Sequence, residues 1–237
     1  MLQGLYASGL GALGQSAKLD VIANNLANAS TPGFRRDRVT FRERLTEALE
    51  DKPDLKYYNS LVHRYGGAPF IDGITFDHQA GGYEVTNNPL DLAINGQGYF
   101  SVQDMNTKKV YYTRAGNFML DSEGRLVTPD GKYQVLGEDG SGMALDPGST
   151  DAQIIVDPDG TLFQGNEIRG RLAVLNFANP DALTKLGDNL FQNLQGVAAE
   201  AQGYRIEQAT LETSSVNPVV EMVEMIKTVR AIDANLQ

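Results

Sequence analysis

The sequence predicts an α+β fold in which heptad-type helices at the N- and C-termini pack together and a central, mainly antiparallel β domain lies between them. Two heptad-like apolar patterns, one near each terminus, predict the helices. Short alternating apolar runs separated by Gly and Asp turn signals predict the β domain. We therefore expect a terminal helical domain of residues 1–45 with 205–237, an extended connecting segment of residues 46–82, and a β domain of residues 83–204.

The first element is an N-terminal helix. Its apolar seam recurs every seven residues, at Leu5, Ala12, Leu19 and Leu26. Glycines at positions 4, 9, 11 and 14 each cost about 1 kcal/mol relative to Ala, so this helix is expected to be weak until something packs against it. Pro32 disfavours helical geometry at Thr31 and Gly33 permits a turn, which ends the helix.

The last turns of this helix carry Asn24, Asn25 and Asn28 beside Ile22 and Leu26. Asn is a poor helix former because its amide competes with the backbone for hydrogen bonds. We therefore expect these amides to have a specific role.

The middle of the chain lacks the heptad-like apolar pattern of the two termini. Residues 46–82 show neither helical nor strand periodicity, which predicts the extended connection. Turn signals at Asp121–Gly124, Pro129–Gly131 and Asp157–Gly160 predict antiparallel hairpins. Residues 179–192 are predicted to form a short helix, with Asn179 at its start and Pro180 in its first turn.

The last element is a C-terminal helix that begins at Asn217, a good N-cap, followed by Pro218 at the first helical position. Its apolar residues follow spacings of 3 and 4, at Val216, Val219, Val223, Ile226 and Val229. The economical interpretation is that both terminal helices pack together as a coiled-coil-like pair or bundle. An ordinary two-helix core within one chain is the alternative.

Composition excludes several classes of function. The net charge of −10 argues against a general nucleic-acid binder, and the absence of Cys excludes disulfides, thiolate metal sites and a cysteine nucleophile. No window approaches 18 uninterrupted apolar residues, so membrane insertion is not expected. The first 20 residues lack a basic region, so we expect no cleaved signal peptide.

No catalytic or metal-binding pattern stands out. His63 and His78 lie in the predicted connection without zinc spacing, and the Asp157–Gly160 turn lacks the ligands of a calcium loop because Ile168 occupies the position of the bidentate Glu. Neither a nucleophile elbow nor a phosphate-binding glycine loop is present. We expect neither an enzyme nor a cofactor.

The basic cluster FRRDR at residues 34–38 has two interpretations. It is either a solvated loop or a surface that meets the acidic body of a neighbouring copy. Residues 1–45 carry six basic and three acidic groups, which gives +3 there and leaves −13 on the rest of the chain. The two parts therefore carry opposite charge.

Three blocks of the sequence resemble the bacterial flagellar rod and hook axial protein family. Residues 19–41, LDVIANNLANASTPGFRRDRVTF, resemble its N-terminal motif, and residues 211–231, LETSSVNPVVEMVEMIKTVRA, resemble its C-terminal motif. Between them, NPLDLAINGQGYFSV and YYTRAGNFMLDSEGRLVTPDG are similar to the β domain of the rod proteins. The overall length and the short link from Gly187 to Ala209 favour the proximal-rod member, with the distal-rod member second.

The resemblance implies a non-enzymatic subunit of the rod, the drive shaft between motor and hook. It implies assembly with copies of itself and with other rod and hook axial proteins, and export through the flagellar type III apparatus without a cleaved signal. In this family the terminal helices pack around a central channel and the β domain faces outward. In a helix surrounded by its copies, Asn amides would fix the register between neighbours, where buried charges would be costly.

The seams and the family motifs together give an expected assembly interface of Leu5, Ala12, Leu19, Ile22, Asn24, Asn25, Leu26, Asn28, Pro32, Gly33, Phe34, Val219, Met222, Val223, Ile226, Val229 and Arg230. Two features depart from the family. Ile232-Asp233 replaces the usual Tyr-Glu or Phe-Glu pair, and the sequence stops at Gln237 although the family helix runs on, which indicates either a truncation or a short inner helix.

Three functions remain open at this point. The first is the structural rod subunit, the second a secreted β-domain binding protein that oligomerises through its terminal helices, and the third a hydrolase that uses acidic residues of the β domain. The sequence shows no general base and nucleophile at a recognisable spacing, which counts against the hydrolase. Polymerisation separates the first from the second.

Overall fold

The computed structural model describes residues 2–43, 69–146, 148, 153–177, 179, 183–193 and 198–236. The chain forms two compact units. The terminal unit comprises Met1–Ala29, Arg36–Asp77 and Val216–Gln237, and the β unit comprises Ser30–Arg35 and His78–Ser215. The architecture is therefore α+β, with helices from both chain termini and a mainly antiparallel β unit.

The terminal unit contains α1 (Leu2–Ala27), α2 (Pro218–Leu236) and an antiparallel pair of strands, β1 (Asp37–Glu43) and β2 (Pro69–Phe76). The side-chain oxygen of Asn217 accepts hydrogen bonds from the amides of Val219 and Val220 at 3.1 and 3.3 Å, so the predicted N-cap is confirmed. The two helices contact each other, and α1 also contacts both strands.

The β unit is built from the strands β3 (Tyr83–Val85), β4 (Leu92–Asn95), β5 (Tyr99–Asp104), β6 (Val110–Thr113), β7 (Met119–Leu120), β8 (Leu126–Val127), β9 (Tyr133–Val135), β10 (Ile154–Val156), β11 (Thr161–Gln164), β12 (Glu167–Arg171), β13 (Val174–Phe177), β14 (Leu183–Gly187), β15 (Leu190–Asn193), β16 (Ala198–Glu200), β17 (Arg205–Gln208) and β18 (Thr210–Glu212). The largest sheet runs in the order β14-β15-β6-β5-β9-β8-β7, with β13 joining β5 to β16. A further sheet has the order β10-β11-β12, and β17 and β18 pair with β4 and β3.

The core of the β unit surrounds β4 and β5, whose apolar residues are buried on consecutive positions because both faces of these strands are covered. Phe100 packs edge-on against Phe118, with ring centroids 5.2 Å apart, and Leu172 and Ile206 close the same cluster. The three turns predicted from Asp and Gly are confirmed, since Gly124, Gly131 and Gly160 all have positive φ.

The structure corrects the prediction of a helix at residues 179–192. Leu183–Gly187 and Leu190–Asn193 form an antiparallel hairpin, and Asp188 and Asn189 at its tip have φ of 49° and 57°. Both residue types tolerate this left-handed conformation, which a two-residue hairpin turn requires and a helix excludes. The proposed helix start at Asn179 and Pro180 falls mostly outside the described residues.

Two expected boundaries also differ from those of the structure. Residues 69–76 form β2 rather than part of an extended connection, while residues 44–68 lie outside the described residues. Residues 205–212 form β17 and β18 of the β unit, because their backbones pair with β4 and β3. Neither α1 nor α2, as far as the structure describes them, has the length and apolarity needed to span a bilayer.

Candidate functional site

One face of α2 is apolar and uncovered. Six of its side chains are between 41 % and 69 % exposed, namely Val219, Val220, Met222, Val223, Ile226 and Val229. Most of them follow the predicted spacings of 3 and 4 and therefore share one side of the helix. We call this surface the α2 stripe. A contiguous exposed apolar surface of this kind marks a protein interaction site.

The opposite face of α2 is turned inward and is more polar. Glu221 and Thr228 are buried, and Met225, Ile232 and Asn235 are half-buried at spacings of 3 and 4. The Lys18 ammonium of α1 lies 3.4 Å from Glu224, and a Cβ added at Gly11 of α1 would lie 3.4 Å from the Asn235 amide nitrogen. This face, rather than the α2 stripe, meets α1.

That arrangement disagrees with the alternative of an ordinary two-helix core in which the two predicted apolar seams face each other within one chain. Val219, Val223 and Ile226 are exposed, although Val216 is buried. On α1, Ala12, Leu19 and Leu26 are half-buried, Leu13 is exposed, and the side chain of Leu5 lies outside the described residues. The described residues therefore leave the α2 stripe exposed.

The three asparagines of α1 have different environments. Asn25 is buried, and its amide donates to the backbone oxygen of Asp37 at 2.9 Å while its oxygen accepts from the Asp37 N–H at 2.8 Å. Asn24 is exposed, and Asn28 donates to the Asn24 backbone oxygen. Asn25 therefore joins α1 to the start of β1 within the chain, and its expected contact with a neighbouring copy stays a prediction.

Arg36 connects α2 to the strand pair. Its guanidinium forms an ion pair with Glu221, whose carboxylate is about 1 % exposed. The second carboxylate oxygen of Glu221 is buried and has no hydrogen-bond partner in the described part of the chain. Together with neighbouring side chains of α1 and β1, these residues line a pocket of about 250 Å³.

The predicted turn after α1 is anchored inside the β unit. Gly33 has φ of 68°, and its N–H donates to the Glu212 backbone oxygen at 2.8 Å. Asn189 donates to the carbonyl of Pro32 at 3.0 Å, and the Lys185 ammonium lies 3.5 Å from the ring centroid of Phe34. Gly33 and Phe34 are buried within the β unit, and Ile22 is buried in the terminal unit. Their expected part in the assembly interface stays a prediction.

Sequence reasoning missed a buried charge cluster in the β unit. Glu212 accepts from Arg35 at 2.9 Å and from Arg114 at 3.2 Å, and all three side chains are almost fully buried. Burial lowers the pKa of Arg114, although Glu212 opposes that shift, and burial raises the pKa of the adjacent Tyr99 phenol. The cluster joins the residues just after α1 to the strand just before α2.

The cations of the FRRDR cluster have acidic partners within the chain, and the contact with a neighbouring copy stays a prediction. Arg35 pairs with Glu212 and Arg36 with Glu221, and Arg38 lies 2.9 Å from Asp77. Its cations therefore serve intrachain ion pairs. The sequence of the segment shows the cluster of basic residues, but it does not show which acidic residues pair with them, because those residues lie at distant positions in the chain.

The described residues contain no group of three or more His, Asp or Glu side chains placed to hold a metal ion. His63 lies outside these residues. In the described part of the chain, the two features that stand out chemically are the exposed apolar face of α2 and the buried Glu221 carboxylate at the pocket.

Comparisons with known proteins agree in all three parts of the chain. Residues 5–35 match the family model described as flagella basal body rod protein, residues 93–164 the flagellar hook protein FlgE/F/G D1 domain, and residues 207–237 the flagellar basal body rod FlgEFG protein C-terminal region. The chain is 34 % identical to the flagellar basal-body rod protein FlgG of Bacillus subtilis, over 99 % of this chain and 93 % of that protein. It is 31 % identical to the rod protein FlgF of Caulobacter vibrioides, over 92 % of this chain and 84 % of that protein.

Proposed function

The chain belongs to the flagellar basal-body rod protein family, and on that premise we propose that it assembles into the rod by packing its α2 stripe against neighbouring subunits. It is a structural subunit of the basal body rather than an enzyme. The rod is the axial shaft between the motor and the hook, and the partners of the chain are its own copies and other rod and hook axial proteins.

The observation that carries this proposal is the exposure of the α2 stripe. Burying one Val or Ile side chain contributes about 1.5 to 3 kcal/mol, so several such residues left uncovered on one helix represent a large unused driving force. A net charge of −10 opposes association of the copies, so the contacts that join them must be favourable enough to outweigh this repulsion.

The remaining members of the expected interface support this surface in different ways. We propose that Leu5, Ala12, Leu19 and Leu26 of α1 take part in heptad packing in the assembled rod, with the exposed Asn24 fixing the register between neighbours. Arg230 lies on the exposed side of α2 and extends the α2 stripe, to which Met222 already belongs. Asn28 and Pro32 hold the end of α1 and the turn that follows.

We also propose that the chain reaches the rod through the flagellar type III export apparatus, without a cleaved signal peptide. The proximal-rod assignment stays a prediction, because relatives of both the FlgG and FlgF kinds align with most of the chain. The alternative of a secreted β-domain binding protein is not favoured, since the family match extends to both terminal segments.

The test is the substitution Ile226→Asp in cells that lack the native protein. It should abolish rod formation and motility, because it removes about 1.5 to 3 kcal/mol of burial and places a charge at the contact. The matched control is Ile168→Asp on β12, an exposed isoleucine of the β unit, which should leave motility intact. Export of both variants into the periplasm is measured separately. Motile cells that build normal rods from Ile226→Asp would contradict the proposal.

A further inference from the structure

The pocket next to α2 contains one buried carboxylate oxygen that has no hydrogen-bond donor among the described residues. It is lined by Val21, Ile22 and Asn25 of α1, by residues 36–39 and by Lys18, Glu221 and Glu224. Oε1 of Glu221 bonds to Arg36, whereas Oε2 is buried and lacks a donor within the described residues. A buried carboxylate oxygen without a donor is costly, so a hydrogen-bond donor that enters the pocket and reaches this oxygen would be stabilised.

A suitable donor lies on the outer side of α2. Arg230 is exposed and forms no ion pair with any described residue. It follows Val219, Val223 and Ile226 at spacings of 4, 3 and 4, so it continues the α2 stripe. When the stripe packs against a neighbouring copy, this guanidinium is carried to the interface and needs an acceptor there.

The other exposed cation on this helix is less suitable. The Lys227 ammonium lies 2.8 Å from Glu224 and is already paired. A guanidinium also matches a carboxylate better, because its planar donors can reach both the oxygen and nearby polar groups. Val21, Ile22 and Val39 line the pocket and provide apolar surface for the methylene groups of an arginine.

We propose that Arg230 of one copy inserts into this pocket of the next copy and donates to Oε2 of Glu221. The inference rests on the proposed function, since it specifies how two copies in the rod recognise each other. The donor and the acceptor lie on opposite faces of α2, so they cannot pair within one helix. A contact between two different surfaces of identical chains is heterologous, and its repetition produces an open helical array, as a rod requires.

Proximity is tested by cross-linking, which the absence of Cys from the chain makes unambiguous. One copy carries Arg230→Cys and the other Glu224→Cys at the pocket, which leaves the buried Glu221 intact. The full-length chains are mixed, assembled and treated with a short bifunctional thiol reagent. We expect a dimer joining position 224 to position 230. Asp20→Cys is the control, an exposed position of α1 that does not line the pocket, and should give no dimer with Arg230→Cys.

Pairing is tested with Arg230→Gln, Glu221→Gln and the double variant. Each single change should raise the concentration needed for assembly about tenfold, equivalent to about 1.4 kcal/mol, and the double variant should be no worse than either. Arg205→Gln, an exposed arginine on β17 away from the pocket, is the matched control and should change this concentration less than twofold. Glu221→Gln retains an oxygen that accepts from Arg36, and circular dichroism of each monomer checks that α1 and α2 remain helical.

The outcomes separate this inference from the function on which it rests. Three results would each overturn the Arg230 contact and leave the rod assignment unchanged. The first is assembled material without a dimer between positions 224 and 230, and the second is a dimer that joins only position 230 to position 230. The third is a double variant whose loss of assembly equals the sum of the two single losses. A failure of the native sequence to assemble, together with normal rods in cells lacking it, would overturn both.

Discussion

Arg35 and Glu212 form an ion pair with 2.9 Å between Nη2 and Oε1, and both side chains are almost completely buried. Arg35 lies just before the chain enters β1, and Glu212 ends β18, shortly before α2. The backbone reinforces the pair, because Gly33 donates to Glu212 and Ser215 donates to Phe34. The Glu212 carboxylate thus connects, within the β unit, the segment that follows α1 to the strand that precedes α2.

Replacing Glu212 with Gln should destabilise the β unit by about 3 to 5 kcal/mol, because it leaves Arg35 and Arg114 buried without their counter-charge. Urea unfolding of the monomer, followed by tyrosine fluorescence, measures the effect. Glu84→Gln on the adjacent strand β3 is the control; Glu84 is exposed, so its loss should change stability by less than about 0.5 kcal/mol. Equal stability of the two variants would show that the buried cluster is dispensable.

Gly33→Ala should be strongly destabilising for two separate reasons. The left-handed backbone costs a residue with a Cβ about 1 to 2 kcal/mol, and the new atom would lie 2.5 Å from the backbone of Arg114 and Ala115. Forcing that backbone apart should add about 1 to 3 kcal/mol. Gly131→Ala is a matched control, since its φ of 69° is nearly the same and no atom lies within 4 Å of the added Cβ. Thermal unfolding of both variants separates the two costs, and equal losses would refute the close contact at Gly33.

Asn25→Leu should loosen the junction between α1 and β1 already in the monomer. The substitution removes the two hydrogen bonds that the buried Asn25 amide forms with the backbone of Asp37, at a cost of about 1 to 3 kcal/mol. Hydrogen exchange at the Asp37 amide should accelerate accordingly. Asn24→Leu, one position earlier and exposed, should leave this amide as protected as in the native chain. Protection unchanged by Asn25→Leu would return this residue to a role in contacts between copies.

Acid should weaken the contact between α1 and α2 through Glu224. Hydrogen bonds from Lys227 and then Lys18 lower the pKa of Glu224 below its ordinary value of 4.5, so the folded state binds this proton less readily than the unfolded state. The stabilising contribution is therefore complete above pH 4.5 and is lost as the pH falls through the lowered pKa. The measurement is the difference in unfolding free energy between the native chain and Glu224→Gln. This difference in unfolding free energy should become smaller below pH 4.5. If it does not change with pH, the ionised Glu224 carboxylate and its lysine partners are not its source.

Several features of the fold were predictable because their causes are local. Asn217 and Pro218 begin α2 through capping chemistry, and Gly124, Gly131 and Gly160 mark turns through their backbone freedom. The hairpin of β14 and β15 was missed because Asp188 and Asn189 adopt a conformation that the sequence favours only weakly over a helix. There the pairing of β15 with β6 outweighed the local preference.

The sequence by itself determined which residues of α2 share a face, since helical periodicity follows from the chain alone. The tertiary structure decided which face the chain covers, and it covered the side of Glu221 and Thr228 rather than that of Val219 and Ile226. Periodicity cannot make that choice, because the choice depends on where Arg36 and Lys18 place their charges in space. The ion pair of Arg35 with Glu212 also depends on the tertiary structure. The sequence shows Arg35 only as part of a basic cluster, because the two residues are far apart in the chain and meet only in the folded β unit.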